Sequence, residues 1–386
     1  MSAKPWEVQM IRIKQRRLQV GLRSSTLATS ICFLLLVSGV EAQMKAKPFA
    51  SEVRSTIQAA QKEGSLNLSW GTTTMGGASG VKELERALNK YHGTNIQFKY
   101  TPGRSYSAHM QRLAEELAAG RKAFEDVALA DSGQVAFFHK NKILLPVNWQ
   151  VFMPHIPKNA LAEVISPDRT LVTMYSQPRT IIYNTNVISK EEAPKTLQDL
   201  LHPKWKGKIA TTPYSAGYEV LASDKSWGEK RLLEYAESLT KNLGGLIRCG
   251  ELPRVINGEF PIFLLECSPG RVEIEIEKGA PIAQVVPNDM LEVLHHWMGV
   301  PKHAANPNAA KLFTAFLVTR EGQDIIYKYE RTDLHYLEGS RAARQLSRIE
   351  KETGRRFGDY TPQRILDQQN VDTVLKKLSV IFRGGN

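Results

Sequence analysis

Cysteine is scarce in this 386-residue chain: Cys32, Cys249 and Cys267 are all it has. None stands in a C-x-x-C pair and none shares a Cys/His spacing with a zinc site, so neither a disulfide-dense scaffold nor a structural metal is expected. The apolar core near the N-terminus falls short of the about 20 residues that a permanent membrane span needs. Catalytic signatures are missing as well. G-x-S-x-G is absent, since Gly77-Ala78-Ser79-Gly80-Val81 lacks the second glycine, and neither H-E-x-x-H nor G-x-x-x-x-G-K-[ST] occurs. No Ser/His/Asp or Cys/His set declares itself, which argues against an enzyme. Zinc-finger, RNP and helix-turn-helix patterns are also absent, and with them the usual grounds for expecting nucleic acid.

What is present begins with an export pattern. Lys4, Arg12, Lys14, Arg16, Arg17 and Arg23 precede an apolar core at 27–40, and Ala42 ends a V-E-A step suited to cleavage. Residues 1–42 therefore read as a cleavable signal peptide directing export, with Met1 and Met10 both open as the start. Cys32 follows Ile31, too bulky for a lipoprotein box, which disfavours a lipid anchor. The signal segment holds six basic and two acidic residues, so the chain's formal charge of +12 falls to +8 over 43–386. Basic residues are spread along the chain, and the densest group, Arg341, Arg344, Arg348, Lys351, Arg355 and Arg356, reads as a solvated helix face. A basic surface favours anionic ligands or an anionic partner through long-range steering. Cys249 and Cys267 survive processing and are free to pair in an oxidising compartment; the sequence leaves the pairing open.

The remaining length suggests two domains. Leu66, Leu68 and Trp70 alternate as a strand, Val81, Leu84, Leu88 and Tyr91 recur at helical spacing, and Gly93 is placed to end that helix. A second strand follows through Ile96, Phe98 and Tyr100, then a helix through Met110, Leu113 and Leu117, then a nearly apolar strand at 126–130. This alternation argues for an α/β fold with a mainly parallel sheet and helices on both faces. Residues 170–184 break the rhythm with two extended segments around Gln177-Pro178. A second strand-helix set carries helices near 229–241 and 253–257 and a strand at 261–265. The end of the chain, 338–386, reads as helices, the last with an apolar stripe of Val371, Val374, Leu375, Leu378 and Ile381.

The most specific stretch is 196–210, T-L-Q-D-L-L-H-P-K-W-K-G-K-I-A. A short amphipathic helix through Leu197, Leu200 and Leu201 is stopped by Pro203, Trp205 offers a large apolar surface, Gly207 allows a turn, and a strand starts at Ile209. Upstream stands R-T-I-I-Y-N at 179–184, downstream T-T-P-Y-S-A-G-Y-E at 211–219. Together these resemble the second lobe of the periplasmic solute-binding proteins of ABC importers (extracellular family 1), and most of all the ferric-iron-type receptors. The resemblance runs from about residue 65 to 336. It implies a two-lobed, type II periplasmic-binding-protein fold with a hinged cleft. Lobe 1 would be 43–172 with 280–335, hinge and lobe 2 would be 173–279, and 336–386 would form C-terminal helices. The strand at 282–286 would return the chain to lobe 1, where a helix at 309–318 would pack through Leu312, Phe313 and Phe316. A monomer without cofactor, passing a small solute to an inner-membrane permease, is the implied role.

Ligands of open α/β sheets sit beyond the carboxyl ends of strands, and three loops fit that place. Thr72, Thr73 and Thr74 lie in the Gly-rich loop 71–80 as hydrogen-bonding groups or helix caps. Asp131, followed by Ser132, ends an apolar strand as a ligand contact or a cap. In ferric receptors the turn matching 211–217 cradles an anion, with an arginine from the hinge strand adding a charge-assisted bond; Ser215, Ala216 and Gly217 match that turn and Arg179 the arginine. Its planar fork suits phosphate or carboxylate, the alternative being a surface salt bridge. The resemblance fails at the metal. Two adjacent tyrosines expected before a G-R step are Cys267 and Ser268 ahead of Gly270-Arg271, the usual histidine falls among Thr72 to Thr74, and an acidic ligand survives only as Asp131. Those replacements remove the hard anionic oxygen donors of Fe(III). A small anionic solute, an organic phosphate, phosphonate or carboxylate, is therefore the expected ligand. Iron held by non-tyrosine ligands, or an enzyme or sensor on the same frame, are the alternatives. His295-His296 reads either as a ligand or metal contact or as a solvated pair at a strand end.

Overall fold

The computed structural model describes residues 50–103, 106–214, 217–368 and 370–384. The expected signal segment 1–42 lies outside the described residues, as do Ser215 and Ala216. Strands β1 (Ser65–Leu68) and β2 (Gln97–Tyr100) pair in parallel, with Leu66 opposite Phe98. The helix Gly77–His92 joins them, burying Val81, Leu84 and Leu88 on one face. It ends at Gly93, whose left-handed backbone (φ 67°) lets its N–H reach the Asn89 carbonyl. Leu66, Leu68 and Trp70 are buried, and Trp70 stacks at 5.9 Å on Phe313 of the helix Pro307–Leu317. Leu312, Phe313 and Phe316 thus enter this first core as expected.

A second group of strands surrounds the long strand β10 (Glu292–Gly299), introduced with its partners β3 (Ala128–Ala130), β4 (Val172–Pro178) and β11 (Gly358–Asp359). β10 runs antiparallel to β3 and β4 and parallel to β11. Another sheet has the order β7-β6-β8-β5-β9, built from β5 (Thr180–Asn184), β6 (Ile209–Thr211), β7 (Leu243–Leu246), β8 (Ile262–Glu266) and β9 (Ile282–Val285). Within it β6 is parallel to β7 and β8, whereas β5 is antiparallel to β8 and β9. The two larger sheets are therefore mixed rather than mainly parallel, while β1 and β2 keep the expected parallel pairing. The reason is the route of the chain, which leaves the β10-centred sheet on β4, enters the five-stranded sheet on β5, and comes back in the opposite sense on β10.

Two expected elements differ. The strand near 282–286 pairs with β5, Ile181 opposite Val285, and stays in the second sheet; β10 makes the return. Both segments are apolar enough for either role, and His295-His296 disguised β10 as a strand end. Leu197–Leu201 forms no α-helix but a 3₁₀ turn, Gln198–Leu201, followed by another at Pro203–Trp205. Fewer than ten residues between Pro194 and Pro203 leave little room to offset helix nucleation, and Asp199 instead binds the N–H groups of Lys195 and Thr196. Leu197, Leu200 and Trp205 are buried all the same, and β6 begins at Ile209. Towards the C-terminus the helix Val371–Phe382 buries Val374, Leu378 and Phe382, and the ring of Phe382 meets Tyr218 at 5.3 Å. Among the described residues no helix is long and apolar enough to cross a membrane.

Candidate functional site

Arg179 is the single residue between β4 and β5, at the point where the chain passes from one sheet to the other. It is 3% exposed. Its Nη1 donates to the carbonyl of Cys267, and its Nε is buried with no partner among the described residues. Gln177 donates to the same carbonyl at 2.8 Å and lies 3.2 Å from His296 Nε2. Cys267 follows β8 and is joined to Cys249 by a disulfide, so its sulfur is committed and its carbonyl is an anchor for the crossing strand. Ser268 donates its backbone N–H to Glu266 at 3.1 Å, and Gly250 donates to the other oxygen at 3.1 Å. Burial pushes the Glu266 carboxyl up, against those two N–H groups and the charges of Arg271 and Arg179.

Of the three threonines only Thr74 turns inward; Thr72 and Thr73 are exposed. The Thr74 hydroxyl hydrogen-bonds Tyr106, and the Met75 N–H donates to Glu330 at 2.5 Å. The following helix is capped by Gly76, with no side chain from Ser79 taking part. Asp131 is a helix cap: it accepts from Gly133 at 2.9 Å while Gln134 accepts from the Asp131 N–H at 3.0 Å, a capping box at the helix Ser132–Asn141. Ser132 donates at 2.5 Å to Glu219, which opens the short helix after β6, so this bond links elements of the two sheets. Gly217 faces Arg179, and a Cβ there would lie 3.3 Å from its Cγ. Of the candidates read from the sequence, Thr74, Asp131, Ser132, Arg179, Gly217, Cys267 and Ser268 thus converge on the junction of the two sheets, while Thr72 and Thr73 do not.

Several groups at this junction escaped the sequence reading. Arg271, on the helix Pro269–Glu277, also has a buried Nε with no partner among the described residues. Its charge acts on Tyr106, Tyr175, Glu266, His296 and Glu330, which places it in the same cluster. Tyr175 stacks on His296 at 4.6 Å and Tyr106 meets that ring edge-on at 6.3 Å. The Gly270-Arg271 step was visible in the sequence as a landmark; nothing in its spacing showed that its charge reaches His296 and Glu266, as that of Arg179 does. Both histidines of the pair are buried rather than solvated, 1% and 7% exposed. Burial lowers His296 to about 3, with Arg179, His295 and Arg271 adding to the effect. His296 is therefore neutral in the physiological range, and the positive charge of the site comes from the two arginines.

His295 has a different task. It contacts Ser176 at 3.0 Å through Nδ1 and Asp359 through Nε2, while His335 reaches the same Ser176 at 2.9 Å and Tyr336 donates to Asp359. Burial would raise the Asp359 carboxyl, but His295, His335 and Tyr336 hold it well below the usual range. Although this is a Ser/His/Asp chain, Ser176 is 0% exposed, so its hydroxyl is out of reach of a substrate and the network ties β4, β10 and β11 together.

Asp131 carries a pH prediction. Burial, and next the Glu219 charge, raise its carboxyl from 3.8 to about 6, against Gly133, Arg179 and Gln134. Between those values the folded chain holds a proton that the unfolded chain has lost, so stability falls as pH rises through that window and stays lower above it. Asp131→Asn keeps an acceptor for Gly133 without the charge. It is expected to raise the melting temperature at pH 8 and to leave it near wild type at pH 4. Because Asp131 is only partly buried as a residue, the gain is held to roughly 1 to 3 kcal/mol. Thermal melts at the two pH values check this, and an equal shift at both would contradict it.

Comparison with known proteins settles the family. Residues 83–342, more than half of the chain, match the family described as bacterial extracellular solute-binding protein. The chain belongs to that family. An uncharacterized protein of Haemophilus influenzae is 31% identical over 157 residues, covering 38% of this chain and 44% of that protein. The major ferric iron-binding protein of Neisseria meningitidis serogroup B is 27% identical over 174 residues, covering 41% and 50%. The match thus spans about half the length, or less, of these relatives. Among solved structures, iron-bound HitA from Pseudomonas aeruginosa superimposes with a TM-score of 0.65 at 20% identity, over 82% of this chain and 99% of that one. AfuA from Actinobacillus pleuropneumoniae, with fructose-6-phosphate bound, gives 0.67 at 19% identity, over 83% and 98%. These likenesses establish the fold: an α/β, two-lobed type II periplasmic-binding-protein architecture.

Proposed function

We propose that this solute-binding protein is the periplasmic receptor of an ABC importer and captures a small anionic solute, one bearing phosphate or carboxylate, between its lobes, handing it to an inner-membrane permease as a monomer. The observation that carries this reading is the pair of arginines, buried Arg179 and half-buried Arg271, each with a buried Nε that no described residue satisfies. An unpaired buried cation is costly, and an anion bridging both would offset that with charge-assisted hydrogen bonds. The surrounding carboxyl and phenol groups, Asp131, Glu330, Tyr106 and Tyr175, suit the hydroxyls of such a solute. The fructose-6-phosphate seen in AfuA is chemistry of this kind.

Iron is the second reading, favoured by the names of the relatives and by the two phenols at the junction. Yet Tyr106 and Tyr175 are not adjacent in sequence, and burial, with the charge of Glu330, pushes both hydroxyls above their ordinary value. The Cys267 sulfur is closed in a disulfide. One calorimetric panel separates the readings: fructose-6-phosphate, citrate, glucose, spermidine and Fe(III), with visible spectra recorded for the last. An anionic organic solute is expected to bind, while glucose and spermidine do not and Fe(III) produces no tyrosinate-to-iron absorption band. A band that disappears in Tyr106→Phe or Tyr175→Phe would overturn the anion reading in favour of iron.

A further inference from the structure

The arginines that sequence alone assigns to a solvated helix face line a groove of about 560 Å³. One wall is the helix Arg341–Thr353, contributing Arg341, Arg344 and Arg348; the facing walls come from Tyr327, Arg331 and the helix Pro269–Glu277. Two of the four guanidinium groups are committed. Arg331 binds Glu277 through Nε at 3.0 Å and Nη2 at 2.6 Å, and Arg341 binds Asp324 at 2.8 Å while lying 4.2 Å from the Tyr327 ring. The acid in the opposite wall, Glu273, accepts from Gln284 at 2.5 Å. The other two guanidinium groups are held more weakly. Arg344 donates to the carbonyl of Gly339 at 2.8 Å, and the acid paired with Arg348, Glu352, is 3.8 Å away, both of them well exposed.

The groove also spans the hinge. The helix Pro269–Glu277 lies between β8 and β9 of the second sheet, whereas the helix Arg320–Glu330 packs on the helix Gly77–His92 of the first. The two meet where Gly270 touches the Glu330 carbonyl so closely that a Cβ would fall 1.6 Å from its oxygen, and Arg331 clasps Glu277 across the same seam. Separation of the lobes would divide the groove between them.

We propose that this groove docks an acidic, extended segment of a second protein, with its carboxylates on Arg344 and Arg348, and that docking favours the form in which the lobes are together. Charge complementarity identifies the occupant. Residues 344 and 348 are four apart on a helix, a rise of about 6 Å, and carboxylates at alternate positions of an extended segment are about 6.6 Å apart. A lone small anion would meet exposed, salt-screened guanidinium groups one at a time, whereas a segment with several carboxylates engages them together. The coupling to lobe position rests on the receptor reading above; the docking itself does not.

Fluorescence anisotropy of a labelled peptide alternating glutamate and serine, titrated with the purified full-length protein, tests this. The acidic peptide binds, binding weakens as salt rises, a lysine-serine peptide does not bind, and the Arg344→Glu/Arg348→Glu variant loses roughly tenfold or more in affinity. Both side chains are exposed, so unchanged melting of the variant, and a parallel Arg344→Gln/Arg348→Gln variant with an intermediate loss, exclude misfolding as the cause. Calorimetry with fructose-6-phosphate and citrate on the same variants reports the cleft separately, and Arg179→Ala leaves peptide binding intact. No binding of the acidic peptide, equal binding by the charge-reversed variant, or displacement by inorganic phosphate beyond what chloride of equal ionic strength achieves would each overturn the docking assignment.

Discussion

Arg179→Ala is expected to weaken capture of the anionic solute by roughly ten- to hundredfold, the loss of a charge-assisted hydrogen bond of about 1.5 to 3 kcal/mol. Adding Arg271→Ala should abolish measurable binding, because His296 is neutral and no other cation of this cluster is described. Arg179→Lys recovers only part of the loss, since a point charge cannot reproduce the fork that holds the Cys267 carbonyl with Nη1 and leaves Nε for the ligand. Ligand-free melting should be unchanged or slightly raised, as alanine removes a buried charge that lacks a hydrogen-bonded carboxylate. Gln177 still donates to the Cys267 carbonyl, so that acceptor is not orphaned. Calorimetry of the best-binding anion against each folded variant is the measurement. Wild-type affinity in Arg179→Ala would remove the anion site, and a marked loss of ligand-free stability would make Arg179 a structural residue instead.

The second large effect concerns the loop that holds Thr74. Gly80 packs so tightly on its own loop that a Cβ would sit 1.7 Å from the Met75 carbonyl oxygen. Met75 cannot move aside cheaply, because its N–H is fixed by the Glu330 carboxyl and its φ is already 48°. Gly80→Ala is therefore expected to destabilise the protein by roughly 3 kcal/mol or more, at the upper end of overpacking penalties. Gly93→Ala is the control: its φ of 67° disfavours a side chain, but nothing lies within 4 Å of the added carbon. Its cost should stay near about 1 kcal/mol. Urea or thermal unfolding of both variants checks the difference, and equal losses would show that the close approach at Gly80 is not a constraint.

Much of this fold is written locally in the sequence. Gly93 closes its helix, Leu66 and Leu68 face the core, and Arg179 interrupts two extended apolar segments in a way that marks a crossing. Periodicity reports which face of an element is buried; it does not report which loops meet. Arg271, Tyr106 and Tyr175 stand 69 to 165 residues apart in sequence and converge only because the chain crosses twice between sheets. For the same reason the return expected of 282–286 is made by β10 instead: pairing with β5 or with β4 is decided by the whole sheet. The histidine pair misled for a local reason, since buried histidines with hydrogen-bond partners look polar in a sequence. Capping by Asp131 was legible because Asp131 and Gln134 sit at capping-box spacing.

The most direct test of an anion held between Arg179 and Arg271 is native mass spectrometry of gently purified wild-type protein, followed by release and identification of the bound molecule. The expected result is one adduct per chain whose released component carries a phosphate or carboxylate group and is missing from the Arg179→Ala/Arg271→Ala protein. A cationic or neutral solute, a bare iron adduct, or an anion that persists at the same occupancy in the double variant would contradict it.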